Sequence, residues 1–146
     1  TPYLIITDEM AHALSLAAKR GVDVRIITPG IPDKKMVYSV TRSFYHGLVR
    51  NGVKIYEWTP GFCHAKMSVA DDCMATCGTI NLDYRSLYHH FENGCFMADC
   101  DAVLEIRRDL EQTITQCRDV TEKYKSGRSA YLRFSQLLLR LFAELL

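Results

Sequence analysis

The sequence predicts an α/β fold, a mixed β-sheet with α-helices on its faces. Three observations carry that prediction. Strand-like and helix-like segments alternate early in the chain, a run of strands with turn residues between them follows, and 48% of the 146 residues are apolar, enough to fill a core.

Residues 3–7, Tyr-Leu-Ile-Ile-Thr, read as a buried strand. Asp8 is the expected N-cap of a helix that runs to about Arg20, with Ala11, Leu14 and Ala18 on one face and Gly21 as its stop. Val22 to Thr28 alternates apolar and polar residues, as a half-buried strand does. Pro29-Gly30-Ile31-Pro32 is a loop. Asp33 is expected to cap a second helix with Val37, Val40, Phe44 and Leu48 inward, ended by Asn51-Gly52. Strands are then expected over Val53–Thr59, His64–Ala70, Cys73–Cys77 and Gly94–Ala98, with a tight turn at Asp71-Asp72. A helix from about Ala102 to Arg118 places Val103, Ile106, Leu110, Ile114 and Cys117 on one side. Ser129 to Leu146 closes the chain as an amphipathic helix, with Tyr131, Phe134, Leu138, Leu141 and Leu145 on one face. The expected division is a domain over 1–126 and this helix over 127–146, packed on the domain or lying on a membrane surface.

Composition narrows the function classes. A net charge of +1 argues against broad electrostatic wrapping of nucleic acid, though a local basic pocket for one phosphodiester fits it. The six cysteines read as reduced thiols packed as small hydrophobes, because a chain of this size and apolar content needs no disulfide staples. Cys73 and Cys77 lack a partner pair at zinc-ligand spacing. No apolar run reaches the roughly 18 residues of a membrane span. The chain starts abruptly on a strand, which implies that residue 1 lies inside a longer protein.

The chemistry is concentrated in His64-x-Lys66-x4-Asp71-x6-Gly78-Thr79-x-Asn81. A neutral imidazole can attack phosphorus or shuttle a proton, and an ammonium and an amide can hold the charged oxygens. On a strand, positions two apart leave the same face, so His64 and Lys66 are expected side by side. Asp71, five residues past Lys66, falls on the opposite face and reads as a turn-building residue. A lone His-x-Lys is ordinarily a polar strand face; the five matched positions at fixed spacing make this one specific. His12 and His46 read as ordinary helix positions.

This pattern resembles the HKD motif of the phospholipase D superfamily. Its flanks, Tyr56-x-Trp58-x-Pro60-Gly61-Phe62 before and Asn81-Leu82-Asp83-Tyr84-Arg85-Ser86-Leu87 then Phe91-Glu92 after, are similar to bacterial cardiolipin synthases, as are Thr1-Pro2-Tyr3 and Arg20-Gly21-Val22-Asp23-Val24-Arg25. The resemblance covers essentially the whole chain and reads as the C-terminal half of such an enzyme. It implies a phosphatidyl transfer between two phosphatidylglycerol molecules that gives cardiolipin and glycerol through a phosphohistidine, with no cofactor or metal. His64 is then one of two active-site histidines, nucleophile or general acid/base, with the family's usual assignment favouring the second. Lys66 and Asn81 bind non-bridging phosphate oxygens, Thr79 offers a hydroxyl to phosphate or backbone, and Glu92 accepts from the far nitrogen of His64 to fix its tautomer. Asp71 completes the motif as its acid, and Gly78 lets backbone pass close to substrate. Arg85 and Tyr84 are expected to anchor the loop, and His89 and His90 to line the pocket.

Only one HKD motif is present where the family's site needs two. The expected partners are therefore phospholipid, a membrane surface, and either the missing N-terminal half or a second copy of this chain; no nucleic acid is expected. The implied location is the bacterial cell membrane, with the catalytic part facing the cytoplasm. A phospholipase D-type hydrolase or nuclease, and a non-catalytic lipid-binding module, are the rival readings.

Overall fold

The structure, a computed structural model, describes residues 1–126 and Leu138; the expected C-terminal helix lies outside the described residues. Strand β1 (Leu4–Ile5) leads into helix α1 (Asp8–Lys19). The cap is Thr7 rather than Asp8: the Thr7 hydroxyl accepts from the Met10 amide, and Asp8 and Glu9 occupy the first turn, where acidic groups suit the helix dipole. The chain leaves α1 through Gly21 at φ +95, a left-handed conformation that glycine tolerates.

Strand β2 (Arg25–Pro29) is shorter than the alternation predicted, and α2 (Lys35–Arg50) is the central helix. Asp33 does not cap α2 through its first helical turn. Its carboxylate accepts instead from the adjacent Lys34 amide and from the Tyr3 hydroxyl. The predicted inward face of α2 holds: Val40, Phe44 and Leu48 are buried, with Thr41, Tyr45 and Val49 beside them. Strand β3 (Lys54–Trp58) runs parallel to β2, with Ile26 opposite Ile55.

Three antiparallel strands follow. Strand β4 (Met67–Ala70) turns through Asp71, at φ 51, into β5 (Met74–Gly78), which pairs with β7 (Gly94–Ala98). Between β5 and β7 the chain makes a two-residue strand, β6 (Leu82–Asp83), parallel to β1, and a π-helical turn over Arg85–His89. Helix α3 (Asp101–Thr115) ends earlier than predicted. Cys117, expected on its face, instead opens strand β8 (Cys117–Asp119), antiparallel to β3 and opposite Trp58. The short helix α4 (Thr121–Lys125) follows.

Helices cover both faces of the β2–β3–β8 sheet. Ile55 and Glu57 point to the α2 and α4 side, where the core gathers Leu4, Ile5, Ile6, Val40, Tyr45, Leu48, Val53, Val120 and Tyr124. The other face is reached by α3: Arg25, in register with Lys54, donates to Glu111 at 2.8 Å. Glu57 is fully buried, paired with Arg118 at 2.5 Å and Arg42 at 3.5 Å, and Arg42 stacks over the rings of Tyr38 and Tyr124. His46 is more than a surface helix position, since its Nδ1 lies 2.7 Å from the Tyr124 carbonyl and ties α2 to α4.

Candidate active site

The β4–β5–β7 sheet places the motif. His64 and Lys66 lie in the extended segment just before β4, not within the strand as the spacing predicted. Lys66 is nevertheless held at the ladder's end, because its carbonyl accepts from the Gly78 amide at 3.1 Å. The two side chains converge. Lys66 Nζ lies 3.0 Å from both ring nitrogens of His64 and donates to the His64 carbonyl at 2.8 Å. A nitrogen equidistant from both ring nitrogens lies off the lone-pair axis of either, so the contact is charge against dipole rather than one directed hydrogen bond. The Phe62 ring packs 5.8 Å from the His64 ring.

Residues distant in sequence meet these two. His64, Ala65, Lys66, Met67, Cys77, Gly78, Thr79 and Asn81 line one open cavity of about 460 Å³. The loop after Gly78 is pinned at its neck: the Thr79 amide donates to the Asn93 carbonyl at 2.8 Å, and the Asn93 amide donates to the Thr79 hydroxyl at 3.0 Å. That closure returns Asn81 to the site, and its Oδ1 is buried with no hydrogen-bond partner in the described protein. Gly78 is needed for the closure, since a Cβ there would stand 2.3 Å from the Asn93 carbonyl oxygen.

Electrostatics follow from this packing. Partial burial lowers the Lys66 ammonium from its ordinary value, opposed by the nearby carboxylates Glu92 and Asp83. Glu92 is lowered by hydrogen bonds from Thr79 and Ser86, with His90 and Lys66 adding to the shift. Glu92 therefore stands as a carboxylate bonded to the Thr79 hydroxyl. No bond from His64 to Glu92 is formed among the described residues, although the resemblance implies one. Asp71 occupies the β4–β5 turn at the far end of β4; its carbonyl accepts from Arg107 of α3 at 3.1 Å. The rings of Tyr84 and Tyr88 pack tilted at 6.0 Å, while Arg85, His89 and His90 are exposed on the loop rather than in the cavity wall.

Asp83 and Cys77 were not foreseen. Asp83 is buried and accepts from the Ser86 amide at 2.8 Å where the π-helical turn begins. Its position three residues before Ser86, as in a helix cap, was the available signal. None of the six thiols is fully buried, contrary to the expectation that they pack as small hydrophobes; Cys77, Cys95 and Cys100 are exposed.

The family model for the cardiolipin synthase, PLD-like domain matches residues 1–114. The chain belongs to that family. Among similar proteins, a Streptococcus mutans protein described as uncharacterized is 50% identical over all 146 residues, which make up 32% of that protein. Cardiolipin synthase 2 of Bacillus cereus is 35% identical over the same 146 residues, 28% of its length. The chain thus spans about a third of the length of the curated relatives it matches. The phospholipase D-like fold is shared with Nuc of Salmonella typhimurium, a phospholipase D family member, at a TM-score of 0.67 and 20% identity over 80% of this chain and 76% of that one. The cardiolipin synthase-like domain described here is accordingly an α/β phospholipase D-like unit. Among its described residues no helix is long and apolar enough to cross a membrane.

Proposed function

We propose that this chain is one catalytic half of a cardiolipin synthase-like phosphatidyltransferase. The carrying observation is the cavity that His64, Lys66, Thr79 and Asn81 line together. An imidazole, an ammonium and an amide around one open space fit a phosphodiester: two donor groups for the non-bridging oxygens and one group to exchange a proton or attack phosphorus, with the Thr79 hydroxyl holding Glu92 beside them. Lys66 supports the reading further. Its ammonium is partly desolvated, so an arriving anion meets a charge that water screens less.

In this mechanism a histidine of one half attacks phosphorus, the bond to the first glycerol breaks, and a histidine of the other half delivers the proton to that leaving oxygen. The hydroxyl of a second phosphatidylglycerol then attacks the phosphohistidine and gives up its proton to the same base. His64 serves as the acid/base. Glu92, held by Thr79 and Ser86, reaches the far nitrogen of His64 when the second half arrives, and Asp71 keeps the β4–β5 turn. The open face of β4, β5 and β7, where Met74 and Phe96 are 42% and 65% exposed, is the surface on which that half or a second copy of the chain docks. The whole protein works at the bacterial cell membrane.

Incubating the full-length protein with phosphatidylglycerol and trapping phosphate on histidine tests the reading. Cardiolipin and glycerol are the expected products; phosphatidic acid without cardiolipin returns the site to a hydrolase. Turnover by a strictly monomeric 146-residue chain overturns the half-site.

A further inference from the structure

The register of two strands sets two free thiols face to face. Cys77 of β5 pairs directly with Cys95 of β7, and both are exposed. The kind of pair can be counted from either end of the ladder. The Thr79 amide donates to Asn93 at 2.8 Å and the Asp99 amide to Cys73 at 2.8 Å, so both are hydrogen-bonded pairs. Steps of two from each lead to Cys77 and Cys95. In such a pair the Cα atoms lie about 5.5 Å apart, inside the roughly 4.4–6.8 Å that a disulfide spans. Directly paired residues also send their side chains to the same face.

We propose that Cys77 and Cys95 are a modification site, a dithiol that an external low-molecular-weight disulfide oxidises to a bridge across the two strands behind the His64 cavity. The thiolate of one cysteine attacks the external disulfide RSSR and expels one thiolate. The second cysteine then attacks the mixed disulfide and expels the other. The two protein thiol protons end on the two RSH released, and two electrons pass from the protein sulfurs to RSSR. Cys77 is among the residues around the cavity, and its side chain alternates to the Ala75 face of the sheet, so the bridge ties β5 to β7 behind that wall. An exposed bridge between strands is also readily reduced again.

Cys73, Cys63 and Cys117 are worse placed. Cys73 is opposite Asp99, not a cysteine, and its Sγ is turned to the Ala70 carbonyl at 3.5 Å. Cys63 lies within electrostatic reach of Cys117, but burial pushes the Cys117 thiol up to about 11, which suppresses its thiolate.

The test is to hold the 146-residue chain with oxidised glutathione, count thiols and map bridged peptides. Two of the six thiols are expected to disappear into a Cys77–Cys95 peptide and to return on reduction. The variants Cys77→Ser and Cys95→Ser are each expected to keep their remaining thiols free of any intramolecular bridge. Survival of all six thiols, glutathione left on either cysteine without closure, or a Cys63–Cys117 or Cys73–Cys100 bridge overturns the proposal.

Discussion

In β2 and β3 the inward residues Ile26, Thr28, Ile55 and Glu57 are all buried, sealed by α2 and α4; in β4, β5 and β7 only Ala75 is. The sequences differ less than this contrast does. Both sheets alternate, but the second presents Ser68, Ala70, Met74, Thr76, Phe96 and Ala98 on an open face. The first region holds the fold and the second carries the candidate site. Packing therefore fixes the rear of the site, while its front is left for a ligand or a partner.

Substitutions can break or sharpen that division. The largest effect is expected from His64→Ala in the full-length protein. It removes the proposed acid/base of the open region and is expected to lower phosphatidyl transfer by about 10²–10⁴-fold, with the melting temperature of the 146-residue chain unchanged. The reverse is expected for Leu48→Ala in the sealed region, which costs about 2–5 kcal/mol in urea unfolding through the cavity it leaves. Gly78→Ala tests where the regions meet. Its Cβ collides with the Asn93 backbone, so β7 must shift, at a cost of about 1–3 kcal/mol, together with weaker phosphate binding.

Smaller effects lie at the surface. Asp23 is held down to about 2 by hydrogen bonds from Arg25 and then Lys54. Its folded value lies below the ordinary 3.8, so the pairing contributes above that pH and is lost as pH falls toward 2. The groups are largely solvated, so Asp23→Asn is expected to cost less than about 1 kcal/mol at pH 7 and to flatten acid unfolding in that window. Phe96→Ser is the smallest in the isolated chain, within about 0.5 kcal/mol because the ring is already exposed. The same change is expected to weaken association with the second half, measured by sedimentation.

What could be read from the chain followed periodicity. Helices α1, α2 and α3 carry several turns of inward apolar residues, and β7 was bounded as observed. Strands β6 and β8, of two and three residues, are too short to show a period; pairing with β1 and β3 creates them. Cys117 was misplaced for that reason, since the bonds available from β3 outweigh one more turn of helix. At the site, spacing correctly brought the His64 and Lys66 side chains together, though they precede the strand. The return of Asn81 depends on Thr79–Asn93 bonds that no local pattern announces. Glu92 shows the limit: its partners Thr79 and Ser86 come from loop closure, which the motif spacing does not encode.

Strand β8 has a further consequence. It is an outer strand of the β2–β3–β8 sheet, three residues long, with Arg118 and Asp119 exposed. A long apolar border strand offers its unpaired amides and carbonyls to any passing chain, whereas a short charged one makes a poor template. By finishing that border so briefly, β8 keeps it from templating a passing chain, while the β4–β5–β7 sheet keeps an open face.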